Sequence, residues 1–334
     1  MILFPIADYW WFYIAFTGFI LVLLAIDLGV FNRKAHVVSI REAAKFSALW
    51  ITLALIFNVL FYYYALSKFS NDAALLATPG FDAAASASRV ALEFLAGYVV
   101  EYTLSVDNMF VFVVIFSFFR VPSQYQHRVL FYGILGALVF RATFIALGSV
   151  LLSYHWMIVL FGVLLIYTGF KMLSHDTGEM DPSKNPLVRL THRLMPVSDQ
   201  FHGKNFFSKI DGKWHATPLF LALMAIEMSD IVFAIDSVPA IFALTREPMI
   251  VFTSNVFAIL GLRSLYFVLA GMVAKFTLLR YGLAGVLMFI GLKMIWLNQY
   301  WGGHFPIVWS LAIIGTLVGG SIIASLFVGR DKAA

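Results

Sequence analysis

Nine apolar runs, each long enough to cross a lipid bilayer, divide this chain of 334 residues and leave few folds open to it. A membrane-spanning helix needs about 20 mainly apolar residues, and helices and closed barrels alone satisfy their backbone polar groups in lipid. Charged residues make up 12% of the chain, about half the share in soluble domains. The sequence therefore predicts an all-α polytopic membrane protein with about nine transmembrane helices. The predicted spans are 10–31, 46–66, 90–119, 129–151, 155–174, 216–244, 249–274, 278–298 and 305–328.

Cysteine usage and charge exclude several classes of function. The chain contains no cysteine, which removes thiolate metal sites, iron–sulfur clusters and thiol redox chemistry. The net charge of +5 does not predict a nucleic-acid partner, because the basic residues cluster in short loops on one side of the predicted spans. By the positive-inside rule, this bias places the N-terminus outside and the C-terminus in the cytoplasm. The apolar run from Trp10 to Phe31 is too long for a signal-peptide h-region and is interpreted as the first span.

The polar segments divide the chain into five parts. The predicted parts are two N-terminal helices with a flexible outer loop at 67–89 (together 1–89), a three-helix unit (90–174), a cytoplasmic loop (175–215), a second three-helix unit (216–298), and a C-terminal helix with its tail (299–334). Within the cytoplasmic loop, Asp211 and Gly212 separate two strand-like runs, which predicts a β-hairpin with a two-residue turn.

Five acidic side chains interrupt the apolar spans, in two similar passages, EYTLSVDN and EMSDIVFAIDS. A charged side chain at the bilayer centre costs roughly 2.5–3.5 kcal/mol on insertion scales, so such residues usually face a cavity, an ion or a partner. Oxygen ligands of this kind suit Mg²⁺, Ca²⁺ or Mn²⁺. The candidate metal ligands are Glu101, Asp107, Asn108, Glu227, Asp230 and Asp236.

The spacing within each passage leaves the geometry of the site open. Glu101 and Asp107 are six residues apart, as are Asp230 and Asp236, so an unbroken helix directs the members of each pair about 120° apart. Convergence on one ion therefore requires either an unwound helix, which Pro239 favours for the sixth span, or two adjacent subsites. A structural alternative is a buried charge network, in which Arg141 and Arg263 pair with two of the five acids.

An internal repeat relates the two three-helix units. Glu101-x5-Asp107 corresponds to Asp230-x5-Asp236, and a G-x-K-M sequence ends both units, with lysines 171 and 293 interpreted as interfacial. Because each unit contains three spans, the second must be inverted relative to the first. Inverted repeats are a recurrent plan of secondary transporters, which hold their ions near the bilayer midplane. The repeat therefore predicts that the two acidic passages meet inside the membrane.

These passages resemble the TerC family of membrane proteins, and most of all its Alx-type members. The resemblance covers nearly the whole chain and includes AIDLGVF, E-x5-DN, YGILGAL, EMSDIVFAIDSVPAIFA and TSNVFAILGLRSLYF. It implies Mn²⁺ export across the bacterial inner membrane, with the acidic positions at Glu101, Asp107, Glu227, Asp230 and Asp236. A cavity dominated by carboxylates repels oxyanions, which argues against direct tellurite transport.

The function hypothesis is a divalent cation exporter that works by alternating access, with protons as possible exchange partners. Carboxylates bind metal when deprotonated, so protonation on the far side would release the ion. The expected partners are Mn²⁺ or a similar cation and the lipid bilayer, with no resident cofactor and no enzymatic activity. The alternative is a membrane scaffold that binds partners and assists the metal loading of other proteins.

Overall fold

The fold is described by a computed structural model, which covers residues 2–26, 38–151, 154–173, 185–270, 278–302 and 305–331. Nine helices in this part of the chain are long and apolar enough to cross a membrane. The elements are α1 (Ile6–Ile26), α2 (Ile40–Asn71), α3 (Ala73–Leu76), α4 (Ala83–Phe118), α5 (Ser123–Leu151), α6 (His155–Leu173), α7 (Pro186–Leu194), β1 (Phe207–Ile210), β2 (Lys213–Ala216), α8 (Pro218–Phe242), α9 (Pro248–Ala270), α10 (Leu279–Leu292), a π-helical turn (Lys293–Leu297), α11 (Asn298–Tyr300) and α12 (Ile307–Asp331). The predicted polytopic all-α class is confirmed.

The predicted outer loop is mostly wrong. α2 continues to Asn71, and α4 begins at Ala83, so less than half of the segment 67–89 remains outside the long helices. The alanine-rich sequence explains the difference, because alanine has the highest helix propensity. The side chain of Asp82 also accepts a hydrogen bond from the backbone N–H of Ala85 and caps α4.

The two long helices that carry the acidic passages are continuous. α4 runs for 36 residues and α8 for 25, and Pro239 lies inside α8 without ending it. Unwinding beside the acids, one of the two alternatives that the spacing left open, is therefore not seen in these two helices. The six-residue spacing keeps its roughly 120° separation, so the structure favours two subsites over one.

The third helices of the two units contact each other in a reciprocal way. A Cβ atom on Gly169 of α6 would lie 2.8 Å from the carbonyl oxygen of Ala284, and one on Gly291 of α10 would lie 2.5 Å from that of Gly162. Small residues allow such close approach between membrane helices. The two contacts lie seven residues apart on each helix. From the first contact to the second, the numbering falls from 169 to 162 on α6 and rises from 284 to 291 on α10, so the two helices run antiparallel. This arrangement supports the inverted repeat, which itself stays a prediction.

α9 lies at the centre of the helix bundle. Every residue from Pro248 to Tyr266 is buried, whereas most other spans expose apolar side chains at the surface. α9 packs against α1, α2, α4 and α5. Its polar residues, among them Asn255 and Arg263, are therefore enclosed by protein rather than lipid.

The predicted hairpin is confirmed. β1 and β2 pair antiparallel and are joined by Asp211 and Gly212, which both have positive φ, at 48° and 78°. A type I′ turn requires positive φ at both central residues, which Asp-Gly readily adopts. The hairpin directly precedes α8 and places Trp214 on its exposed face.

Candidate metal-ion site

One acidic residue from each passage contacts the same arginine. Arg141 of α5 forms ion pairs with Glu101 of α4 and with Asp230 of α8, the latter at 3.2 Å between Nη2 and Oδ1. The Nε of Arg141 donates a further hydrogen bond to Oδ2 of Asp230 at 3.4 Å. All three side chains are almost fully enclosed. Two carboxylates share one guanidinium, so these three groups carry a net charge of −1.

Neutral polar groups complete the surroundings of this arginine. Asn255 of α9 accepts a hydrogen bond from Nη1 of Arg141 at 3.2 Å and donates one to Oε2 of Glu101 at 3.2 Å. Ser237 accepts from the same Nη1 at 3.4 Å, and Ser105 donates to Glu101 at 3.4 Å. We call Glu101, Arg141, Asp230, Ser237 and Asn255 the arginine-centred cluster. Four different helices supply its members, so it joins both predicted units.

A small cavity adjoins the cluster at Asp230. Its volume is about 20 Å³, which is enough for one water-sized particle. Met109 of α4 and Arg263 of α9 line it together with Asp230, and the remaining walls are apolar. A particle in this cavity would therefore meet one carboxylate, one arginine side chain and one methionine side chain.

Glu227 is buried next to the cluster, one turn before Asp230. Its exposed fraction is 7%, and no described residue bonds its Oε2. The carboxyl group lies against Gly136 of α5, where a Cβ atom would overlap it. Burial of an ionised carboxylate without a partner is strongly unfavourable. The unbonded Oε2 of Glu227 is therefore an atom that a proton or a cation could satisfy.

Asp236 lies on α8 outside the arginine-centred cluster. It is half-buried and accepts a hydrogen bond from Thr168 of α6 at 3.2 Å, and it interacts electrostatically with Lys171. Thr168 was not predicted as a site residue. The predicted ligand Asp107 lies in α4, but its side chain is outside the described part, and Asn108 beside it is buried.

The structure thus brings two of the six predicted ligands into direct contact with one shared partner. In the part of the chain that is described, no group of three acidic or histidine side chains is arranged to hold a metal ion. The structural alternative is realised in a different form, because Arg141 pairs with two acids at once. Asn255 was missed, since a single Asn in an apolar helix carries no motif, although any strongly polar residue inside a span indicates a role.

A second polar cluster lies around the start of α9. Glu93 of α4 pairs with Arg89 at 3.6 Å and accepts a hydrogen bond from Thr245 at 2.5 Å. Lys293, which the sequence places at the interface, is instead 2% exposed and interacts with Glu93. Glu247 accepts hydrogen bonds from the backbone N–H groups of Leu3 and Phe4, at 2.6 and 3.1 Å. This contact fixes the N-terminal segment to the bundle.

Glu247 gives the stability of the protein a specific dependence on pH. Burial raises the pKa of Glu247, although the two backbone N–H groups act in the opposite direction. The folded chain then holds this proton more tightly than the unfolded chain, in which the pKa is about 4.3. The stabilisation that protonated Glu247 adds to the free energy of unfolding is therefore fully present below about pH 4.3. It declines as the pH rises through the pKa of Glu247 in the folded chain.

We expect Glu247→Gln to remove this dependence. The test is thermal unfolding of the purified wild type and variant between pH 4 and 8, with exposed Asp82→Asn as the control. The melting temperature of the wild type, relative to that of Glu247→Gln, should fall as the pH rises. A difference between them that stays constant, or grows with pH, would contradict the assignment.

The comparisons with known proteins agree with this architecture. A family model described as the integral membrane protein TerC family matches residues 86–333, which is well over half of the chain. The chain belongs to the TerC family. It is 48% identical over 316 residues to a membrane protein of Myxococcus xanthus, covering 94% of this chain and 92% of that one. No solved structure matches it.

Two further relatives extend the match. A protein of Escherichia coli K12, with the provisional name of membrane-bound redox modulator Alx, is 44% identical over 306 residues, covering 91% of this chain and 90% of its own length. A membrane protein of Rickettsia felis is 38% identical over 317 residues, covering 94% of this chain and 97% of its own length. These relatives match nearly the full chain, which is an integral multi-pass membrane protein.

Proposed function

We propose that this TerC-family chain exports a divalent metal cation, specifically Mn²⁺, across the bacterial inner membrane. The observation that carries the proposal is the meeting of Glu101 and Asp230, which come from different predicted units. Carboxylates inside membrane spans mark ion pathways and proton relays. Two carboxylates on one guanidinium leave a net charge of −1, which attracts a cation.

The chemistry of the donors supports the choice of ion. Carboxylate, amide and hydroxyl oxygens suit hard divalent cations. The thioether of Met109 lines the cavity beside Asp230, and a sulfur ligand favours Mn²⁺ over Mg²⁺. The Mn²⁺ identity itself rests on the resemblance to Alx-type members.

The transport cycle that we propose uses alternating access of the two units. Ionised acids take up the ion on the cytoplasmic side. This is the side on which the loop charges predict the C-terminus. Protons that enter from the outer side then compete for the same oxygens and release the ion, because carboxylates bind metal when deprotonated. Glu227 is the group most suited to accept such a proton, since its Oε2 has no partner among the described residues.

The redox name of the Escherichia coli relative fits an indirect role. This chain has no cysteine to carry thiol chemistry. Export of Mn²⁺, which is itself redox-active, would change the redox balance of the cell without an electron transfer in the protein.

A membrane scaffold is the second candidate, and one observation favours it. α7 and the hairpin expose large apolar side chains, with Leu194 74% and Trp214 61% exposed. Such side chains suit contact with another protein. The scaffold would assist metal loading of that protein rather than move the ion.

Cellular Mn²⁺ distinguishes the two candidates. We expect cells that express the wild-type chain to hold less Mn²⁺ than empty-vector cells under Mn²⁺ load, and Asp230→Asn to abolish this difference. The measurement is total cell Mn²⁺ by elemental analysis, at matched protein levels. Asp82→Asn, the same chemical change at an exposed helix cap, should behave as the wild type. Equal Mn²⁺ with Asp230→Asn and with the wild type would favour the scaffold.

A further inference from the structure

Arg141 occupies the oxygens that the proposed function assigns to the metal ion. Its guanidinium contacts Glu101 and both carboxylate oxygens of Asp230. The side chain is 1% exposed, and α5 holds it between α4, α8 and α9. A metal ion that uses the same carboxylates therefore competes with a positive charge that belongs to the protein.

The contact with Asp230 is long for a charged pair. Its two hydrogen bonds measure 3.2 and 3.4 Å, whereas tight pairs of an arginine with a carboxylate measure about 2.7–2.9 Å. The guanidinium also has neutral acceptors on Asn255 and Ser237, at 3.2 and 3.4 Å. These two oxygens can keep the guanidinium bonded while the carboxylates turn towards another cation.

Charge counting shows what the arginine changes. With Arg141, the two carboxylates carry a net charge of −1 alone and +1 with a divalent ion. Without it, the same carboxylates would carry −2 alone and 0 with the ion. Buried charge is costly inside a membrane, so the arginine stabilises the ion-free carrier and opposes the loaded one.

We propose that Arg141 is a tethered counter-cation, which occupies Glu101 and Asp230 when no ion is bound and is displaced by the transported ion. This inference rests on the proposed function. Arg141 sets the affinity low enough for release, and it lowers the net charge of the ion-free site from −2 to −1 so that the empty carrier can change its orientation.

The role predicts opposite effects on binding and on transport. If the guanidinium occupies the carboxylates about nine-tenths of the time, the apparent Kd for the ion is raised roughly tenfold. Arg141→Gln should therefore bind Mn²⁺ about tenfold more tightly or better. The same variant should transport at least about tenfold more slowly, because the doubly charged, ion-free site resists reorientation.

The experiment compares the full-length chain and its variants in nanodiscs and in proteoliposomes. Mn²⁺ binding is measured by titration with the metal alone, and flux by Mn²⁺ entry into vesicles. Arg128→Gln is the matched control, because Arg128 lies on the same helix but packs on the rings of Tyr132 and Phe206. It should leave both quantities near wild-type values.

Arg141→Lys keeps the experiment decisive if Arg141→Gln does not fold. Lysine retains the charge as a single point and cannot bridge two carboxylates as the planar guanidinium does. We expect it to bind Mn²⁺ more tightly than the wild type and less tightly than Arg141→Gln.

Tighter binding with slower flux in the arginine variants would support the counter-cation. Unchanged or weaker binding in both folded variants, with a wild type that still transports, would overturn it and leave the proposed function intact. A wild type that neither binds nor transports Mn²⁺ would overturn both.

Discussion

Glu101→Gln is expected to abolish Mn²⁺ transport while leaving the protein folded. The amide keeps the shape of the carboxylate and can still accept a hydrogen bond from Arg141, whose ion pair with Asp230 remains. The cluster then becomes neutral, and the ion loses one charged ligand. A charged hydrogen bond contributes about 1.5–3 kcal/mol, and ~3 kcal/mol corresponds to roughly 100-fold in affinity. We expect a comparable loss of flux.

Glu101→Asp separates the charge from the side-chain length. It keeps the net charge of −1 but withdraws the carboxylate by one methylene group from Arg141. We expect flux between that of the wild type and that of Glu101→Gln, measured in vesicles at equal protein incorporation. Wild-type flux in Glu101→Gln would show that this carboxylate does not bind the ion.

Arg141→Gln is expected to cause the largest loss of stability of any single substitution in the cluster. Removing one partner of a buried ion pair costs about 3–5 kcal/mol, since it leaves the other charge uncompensated. Here two carboxylates lose their shared partner at once. The measurement is thermal or denaturant unfolding of the purified protein in detergent with a metal chelator present.

The double variant Glu101→Gln with Arg141→Gln tests the cause of this loss. It restores the net charge of −1 that the wild-type cluster carries, so most of the stability should return. Added Mn²⁺ should also stabilise Arg141→Gln, because an ion that binds the folded state alone raises its stability. A double variant no more stable than Arg141→Gln would show that packing of the arginine, and not charge, is lost.

The fold and the centre of the site follow from sequence patterns with simple physical causes. Hydropathy predicts the nine spans because lipid leaves backbone groups no other partners. Glu101 and Asp230 stand out because their cost inside a span must be offset by a specific contact. Arg141 stands out for the same reason. The Asp211-Gly212 turn is predicted because few residues tolerate positive φ.

Other features depend on contacts that no local pattern encodes. Glu247 binds the backbone of Leu3 and Phe4 from more than 240 residues away. Lys293 is buried and interacts electrostatically with Glu93, which lies about 200 residues earlier in the chain. Which acids meet was also not predictable, because periodicity fixes directions around one helix and not the rotation of its neighbours. The contact of Asp236 with Thr168 of α6, away from the arginine-centred cluster, is therefore seen in the structure alone.

The continuous helices resolve one alternative that the spacing left open. Because α4 and α8 are not unwound, Glu101 and Asp230 belong to one subsite, and Asp236 with Thr168 belongs to a second. In the proposed cycle, the ion passes the subsite of Asp236 and Thr168 on its path, and this subsite does not share ligands with Glu101 and Asp230. Asp236 interacts electrostatically with Lys171, so a protein cation acts on this acid too.

The most direct test of the central claim is radiotracer Mn²⁺ flux in proteoliposomes, with and without a pH gradient across the membrane. We predict flux through the wild-type chain well above that of protein-free vesicles, faster with the gradient, and background flux when Glu101→Gln and Asp230→Asn are combined. Flux indistinguishable from protein-free vesicles under every gradient, with folded and correctly incorporated protein, would contradict the account.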